Sequence, residues 1–363
     1  MLIGIGTKWR LTNRENLRIT KRNKKRCRAP MKTAGNSADS GFSGLLWRWG
    51  GMEDGMTELV EFLRAEGVSE ALLRAVEDWR GKQAPVRPEA AHRVPKPRYP
   101  YYGRDVWEEA ISALLSGEHL LLVGPKATGK NDLAENLSAL FGRPQWDVSF
   151  YINTDAASLI GTDTLTDGQV SLRHGPIARC AMEGGFGVLD EINMAKNESL
   201  AVLHATLDFR RCIDVPGYDR IPLSDATRFI ATMNYGYAGT RDLNEALASR
   251  FLVIDMPPIT DENLLKLLRR EFPALKTDCA QQFMQLFTDI RKKCDSAEIS
   301  TKALDLRGLL ASIRLMEQGL SAVRALDLGI VNKCFDDFER QLVRDVVQSR
   351  ISEELTGRNA FNA

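Results

Sequence analysis

The sequence predicts an α/β fold, a parallel β-sheet sandwiched by helices, followed by an all-helical domain. Three observations carry this. Short apolar runs alternate with helical patterns between Leu120 and Asp255, as in a parallel sheet whose crossovers are helices. The first run leads into Gly124-x4-Gly129-Lys130, a loop that belongs between a strand and a helix. From Asp261 to about Glu354 apolar residues recur at helical spacing and no further strand pattern interrupts them.

Taken in order, the chain opens on a basic stretch. Residues 1–32 hold eleven Lys/Arg against a single acid, Glu15, so this stretch carries +10. The whole chain carries +1, which leaves −9 for the rest. Without a periodic apolar face the stretch is expected to be a disordered, solvated tail, or translation from an upstream start, since Met52 and Met56 open the first regular pattern. Its other reading is an arm for nucleic acid or an anionic surface, and the acidic remainder argues against nucleic acid as the main partner. Tail and a Gly/Ser-rich linker together fill residues 1–55. Residues 56–100 read as a small helical region, broken near Gly67-Val68-Ser69, and a connector punctuated by Pro85, Pro88, Pro95, Pro97 and Pro100. The α/β domain follows over 101–258 and the helical domain over 259–354; residues 355–363 are expected to fray.

Within the α/β domain the expected strands are 120–123, 146–151, 187–189, 228–232 and 251–255. The expected helices are 106–115, 131–140, 177–183, 198–207 and 244–249. Composition (44% hydrophobic, 27% charged) suits a soluble globular chain, and 363 residues suit about two domains plus tails. No apolar run approaches the ~20 residues of a membrane helix, and residues 1–20 have no apolar core before a cleavage site. Six scattered cysteines without CxxC spacing read as reduced thiols of a cytoplasmic protein.

The chemistry concentrates at two places. Gly124-Pro125-Lys126-Ala127-Thr128-Gly129-Lys130-Asn131-Asp132 is a phosphate-binding loop running into its helix. Successive backbone N–H groups wrap a polyphosphate, the helix N-terminus adds partial positive charge, and the Lys130 ammonium reaches the β- and γ-phosphates. Asn131 stands where Ser or Thr usually offers a hydroxyl to Mg²⁺; its amide oxygen is also a hard ligand. The second place is Gly187-Val188-Leu189-Asp190-Glu191, an apolar strand ending in two carboxylates. At the carboxyl edge of a parallel sheet these acids lie beside the phosphates. Asp190 is assigned to Mg²⁺, directly or through water, and Glu191 to orienting and deprotonating an attacking water.

Five stretches in this order, GPKATGKN, GVLDEIN, FIATMN, LNEALASRF and LDLRGLL, resemble AAA+ ATPases over about 101–349, and more narrowly the MoxR-like branch related to dynein-type modules. The resemblance implies a P-loop NTPase sheet with an AAA+ lid domain, ATP and Mg²⁺ as cofactors, hydrolysis of ATP to ADP and phosphate, and a homo-oligomeric ring, expected to be a hexamer. Asn234 resembles the first sensor; an Asn at a strand's carboxyl end can donate to a phosphate oxygen and accept from water, or serve only as a turn residue. Arg250 resembles the arginine finger given to the neighbouring subunit, with Arg241 as competitor. Arg307 resembles the second sensor, with Lys302 as alternative. Gly103, after Tyr101-Tyr102, sits where the family contacts the base. Residues 212–221 and 153–175 resemble the family's hairpin before the first sensor strand and its second-helix insertion. The branch implies a remodeller of a client protein, working beside a von Willebrand factor A domain partner. A nucleic-acid translocase and a nucleotide-gated scaffold of weak turnover are the alternatives.

Overall fold

The computed structural model describes residues 52–166, 168–235 and 242–362. The basic tail and Arg241 lie outside them. The strands are β1 Leu120–Val123, β2 Gln145–Ser149, β3 Gly161–Thr166, β4 Gln169–His174, β5 Phe186–Asp190, β6 Cys212–Ile213, β7 Ile221–Pro222, β8 Arg228–Met233 and β9 Leu252–Asp255. Five of them form a parallel sheet in the order β2-β5-β8-β1-β9. β1, β5 and β8 are buried along their length until the last residue, which is half-buried. Both faces are covered by helices, so these strands read as continuous apolar runs. The register sets Val123 beside Met233 and Leu189 beside Ala231. The chain therefore leaves β1, β5 and β8 at one edge, and the phosphate loop, the acid pair and Asn234 emerge together there.

The N-terminal helices Met52–Ala65 and Glu70–Lys82 form the expected pair. They are not a separate unit. Leu59, Leu63, Leu73 and Val76 share one core with Trp107 and Ile111 of the helix Arg104–Leu115, and with Leu133 and Leu137 of the phosphate-loop helix Lys130–Leu140. The helix expected over 198–207 is present as one right-handed helical run, Asn197–Leu200 and His204–Leu207 joined by a tighter 3-10 turn at Ala201–Leu203. The two insertions are both β-hairpins, β3–β4 and β6–β7. Tyr218 joins them by donating its hydroxyl to Asp163 Oδ1 at 2.6 Å.

Beyond β9 come Asp261–Glu271, Thr277–Asp295, Leu306–Glu317, Ala322–Gly329 and Asp337–Arg350. Three of these helices begin on side-chain caps: Thr260 to Asn263 N–H, Asp305 to Gly308 N–H and Asp336 to Glu339 N–H. Their core gathers Phe283, Phe287, Ile313, Leu326 and Val343. The C-terminus, expected to fray, is pinned instead. Thr356 bridges to Ser321 and Phe361 to Leu275, and Ala360 is fully buried. A capping box between Thr356 and Asn359 opens the short helix Gly357–Ala360. No helix among the described residues is long and apolar enough to cross a membrane, and the five described cysteines are free thiols.

Candidate active site

The loop after β1 is closed by its own lysine. Lys130 Nζ donates to Gly124 O at 2.9 Å, Pro125 O at 2.7 Å and Thr128 Oγ1 at 3.2 Å, which holds the ammonium inside the turn. A Cβ on Gly124 would lie 2.8 Å from Met256 O, so only glycine fits the start of the loop. Ala127 and Gly129 have φ of 62° and 80°. Left-handed residues alternating with ordinary ones turn successive N–H groups to one side, the geometry of an anion-binding nest. Burial lowers the Lys130 pKa to about 8, against the opposing pull of Asp190 and Glu191.

The acid pair is clamped by β8. Thr232 donates its hydroxyl to Asp190 Oδ1 at 2.7 Å and accepts from Glu191 N–H at 3.1 Å. Asn234 Nδ2 donates to Glu191 Oε1 at 3.1 Å. Glu191 itself is left-handed, with φ of 53°, a conformation that costs roughly 1–2 kcal/mol in a non-glycine residue and is held by these bonds. Thr232 was not foreseen. Its signal is a buried hydroxyl in the apolar run that follows Arg228, two residues before Asn234, and it is 1% exposed.

These groups line one cleft of about 420 Å³, together with Lys126, Asn131, Asp132, Lys302 and Arg307. An adjoining cavity of about 200 Å³ is walled by Tyr99, Tyr102, Gly103, Pro257, Ile259 and Leu310. Thr128, Gly129, Asp132 and Arg307 border both spaces. Arg307 opens the helix Leu306–Glu317 and so reaches the seam between polar cleft and apolar cavity. Lys302 lines the cleft alone, with its Nζ 5.9 Å over the Phe335 ring. Burial raises the Asp132 pKa, and Arg307 opposes that shift. The oxygen donors Asn131 and Asp190 share the cleft, a set that fits a hard divalent cation completed by phosphate and water oxygens.

Arg250 is elsewhere. Its Nε donates to His204 O at 3.2 Å, its Nη1 to Ala246 O, and its Nη2 to Asp208 Oδ2 at 3.4 Å. It does not line the cleft of its own chain. Asp208, hydrogen-bonded first by Arg210 and then by Arg250, is held down to about 2. The structure thus gathers Lys130, Asn131, Asp132, Asp190, Glu191, Asn234, Lys302 and Arg307 around one space, sets Gly103 in the adjoining one, and leaves Arg250 out.

Residues 119–251 match the family profile of the AAA domain, dynein-related subfamily. The uncharacterised protein YojN of Bacillus subtilis (strain 168) is 33% identical over 273 residues, 74% of this chain and 90% of that protein. An uncharacterised protein of Staphylococcus saprophyticus is 32% identical over 262 residues, 68% of this chain and 97% of that protein. A crystal structure from Cytophaga hutchinsonii covers 85% of this chain at 17% identity and a TM-score of 0.38, a distant likeness only. With the loop, the acid-ended strand and the helical lid in place, the chain belongs to the AAA+ family, in its dynein-related subfamily.

Proposed function

We propose that the chain binds Mg·ATP and hydrolyses it as a ring of identical subunits, a hexamer, acting as a MoxR-like remodelling ATPase on a client protein. The observation that carries this reading is the Glu191 carboxylate, held at 3.1 Å by Asn234 in the cleft that also receives Lys130 and Asp190. A carboxylate so placed can take a proton from a water in line with a γ-phosphate lodged on the loop. Asn234 orients that water and keeps the carboxylate from swinging away. Lys130 and the Arg250 of a neighbouring subunit balance the charge that spreads over the transferring phosphoryl oxygens. Mg²⁺, held by Asn131 and Asp190, supplies further neutralisation of the β- and γ-phosphates when bound. The apolar cavity beside Gly103 and Tyr102 takes the base, and Arg307 reads the γ-phosphate from the lid, so that cleavage releases the lid from the sheet domain. A von Willebrand factor A domain protein is the partner class that the MoxR-like branch suggests.

The test is Glu191→Gln. The variant is expected to bind ATP as the parent does and to hydrolyse it about 10²-fold more slowly, the scale of losing a general base. Wild-type turnover in a steady-state assay would remove Glu191 from the mechanism. One observation favours a second reading, a nucleotide-gated switch of low turnover: Asn131 offers an amide where a hydroxyl is usual. A large rise in rate for Asn131→Ser would favour the switch.

A further inference from the structure

β2 forms one edge of the sheet, with β5 on one side and no strand on the other. Beside it is a cavity of about 620 Å³ that shares no residue with the cleft described above. Its walls bring together Arg93 from the connector, Arg173 from β4 and Arg179 from the helix Pro176–Glu183, over Trp146 and Asp147 of β2. Among the described residues none of these three guanidinium groups has an ion-pair partner, and Asp147 accepts from Gln145 Nε2 at 2.7 Å. Three like charges converging on one space repel each other. Asp147 is the one carboxylate on these walls, so the cavity keeps a surplus of positive charge, and in a chain that is net acidic beyond its basic tail this surplus points to an anion from outside. Trp146 adds a second sign. It is 4% exposed, and its indole N–H has no acceptor among the described residues.

The strand edge tells what kind of anion fits. Phe186 N–H donates to Pro144 O and Phe150 N–H to Asp190 O, so the even-numbered residues of this stretch face β5. Gln145, Asp147 and Ser149 turn their N–H and C=O groups the other way. Gln145 N–H is taken by Arg93 O at 2.9 Å; the groups of Asp147 and Ser149 continue that open edge. The Arg93 guanidinium lies 5.1 Å over the Trp146 ring and covers the aromatic face that a nucleobase would stack on. An extended polypeptide uses both features, since its backbone adds to the edge and alternate side chains enter the cavity.

We propose that this edge is a docking site for an acidic, extended segment of a partner protein, which pairs with β2 at Asp147 and Ser149 and sets carboxylates among Arg93, Arg173 and Arg179. The site is separate from the nucleotide cleft and stands whether or not the chain hydrolyses ATP. The probe is a short fluorescein-labelled peptide of alternating Glu and Val, titrated by anisotropy into the full chain without nucleotide. It is expected to bind, to weaken with salt, and to lose about tenfold in affinity to the double variant Arg173→Glu/Arg179→Glu, two exposed charges being reversed. The same peptide with N-methylated backbone amides is expected to bind more weakly to the parent, a readout that needs no variant to fold. The proposal is overturned if the acidic peptide shows no binding up to about millimolar concentration, if the double variant binds it as the parent does, or if single-stranded DNA displaces it more readily than unlabelled acidic peptide.

Discussion

Glu191 and Arg250 are both assigned to ATP cleavage, yet the fold treats them differently. Glu191 faces the phosphate loop of its own chain and is fixed there by Thr232 of β8 and by Asn234 just beyond it. Arg250 is turned on to Asp208 and the carbonyls of His204 and Ala246, and touches no part of that cleft. The acid pair and the loop lysine therefore meet within one chain, while Arg250 is held on a different surface. A second copy must bring it if Arg250 acts at all. The largest expected effect breaks this contrast directly. Arg250→Ala should lower turnover by about 10³-fold, the low end of what an arginine finger supplies. Mixing it with Lys130→Ala subunits, which keep the finger and lose the loop lysine, should restore activity, because each supplies what its neighbour lacks. A mixture as inactive as its components would place Arg250 outside the reaction.

A smaller effect sharpens the same contrast from the acidic side. Thr232→Val keeps the shape of the side chain and removes the hydroxyl that holds both Asp190 and the backbone of Glu191. Two half-buried hydrogen bonds to the acid pair are lost, and turnover should fall about tenfold to a hundredfold while the affinity for ATP changes little. Asp208→Asn acts on the other side: it loosens Arg250 without removing it, so turnover should fall only about threefold, and the defect should appear when the variant subunit serves as donor in mixed rings. Equal defects as donor and as acceptor would mean that Asp208 merely stabilises the domain.

The parts that were legible in the sequence are those whose physics is local. The inner strands announced themselves as apolar runs, whereas the edge strand β2, QWDVS, alternates; β5 ends on Asp190, one residue beyond the expected 189, because a strand buried on both faces tolerates charge only where it leaves the sheet. The loop was legible because Gly129 answers a local demand, a left-handed backbone with φ of 80°, whereas the close carbonyl that requires glycine at Gly124 belongs to Met256, far along the chain. What was missed depends on partners far along the chain. Thr232 is a plain strand residue until β5 lies beside β8. The C-terminus looked free because its few apolar residues show no period, yet Phe361 and Ala360 find places prepared by Leu275 and the lid core. The helix expected over 198–207 has the right spacing of Leu200, Leu203 and Leu207, all buried, and only its tightening to a 3-10 turn at Ala201–Leu203 went unread. Periodicity reports which residues face the core and is less strict about the path between them.

A pH dependence of binding, rather than of turnover, separates Arg250 from the lysine of the loop. Arg250 carries a guanidinium, charged throughout the physiological range. Lys130 is an ammonium that burial has brought down to about 8. Below pH 8 the loop lysine is charged in the free protein; above it the neutral amine prevails. A bound triphosphate favours the charged form, so its pKa rises in the complex. Between the two values binding must take up a proton, and affinity should fall as pH rises from 7 to 9.5, by no more than about tenfold per unit. Calorimetry at pH 8.5 in buffers of different ionisation enthalpy measures that proton directly. Lys130→Arg, whose charge does not titrate there, should abolish the uptake even if it binds nucleotide less well. If the parent takes up no proton, either the ammonium stays charged within the loop or it does not meet the phosphates, and the Lys130→Arg comparison separates the two: unchanged affinity points to the second.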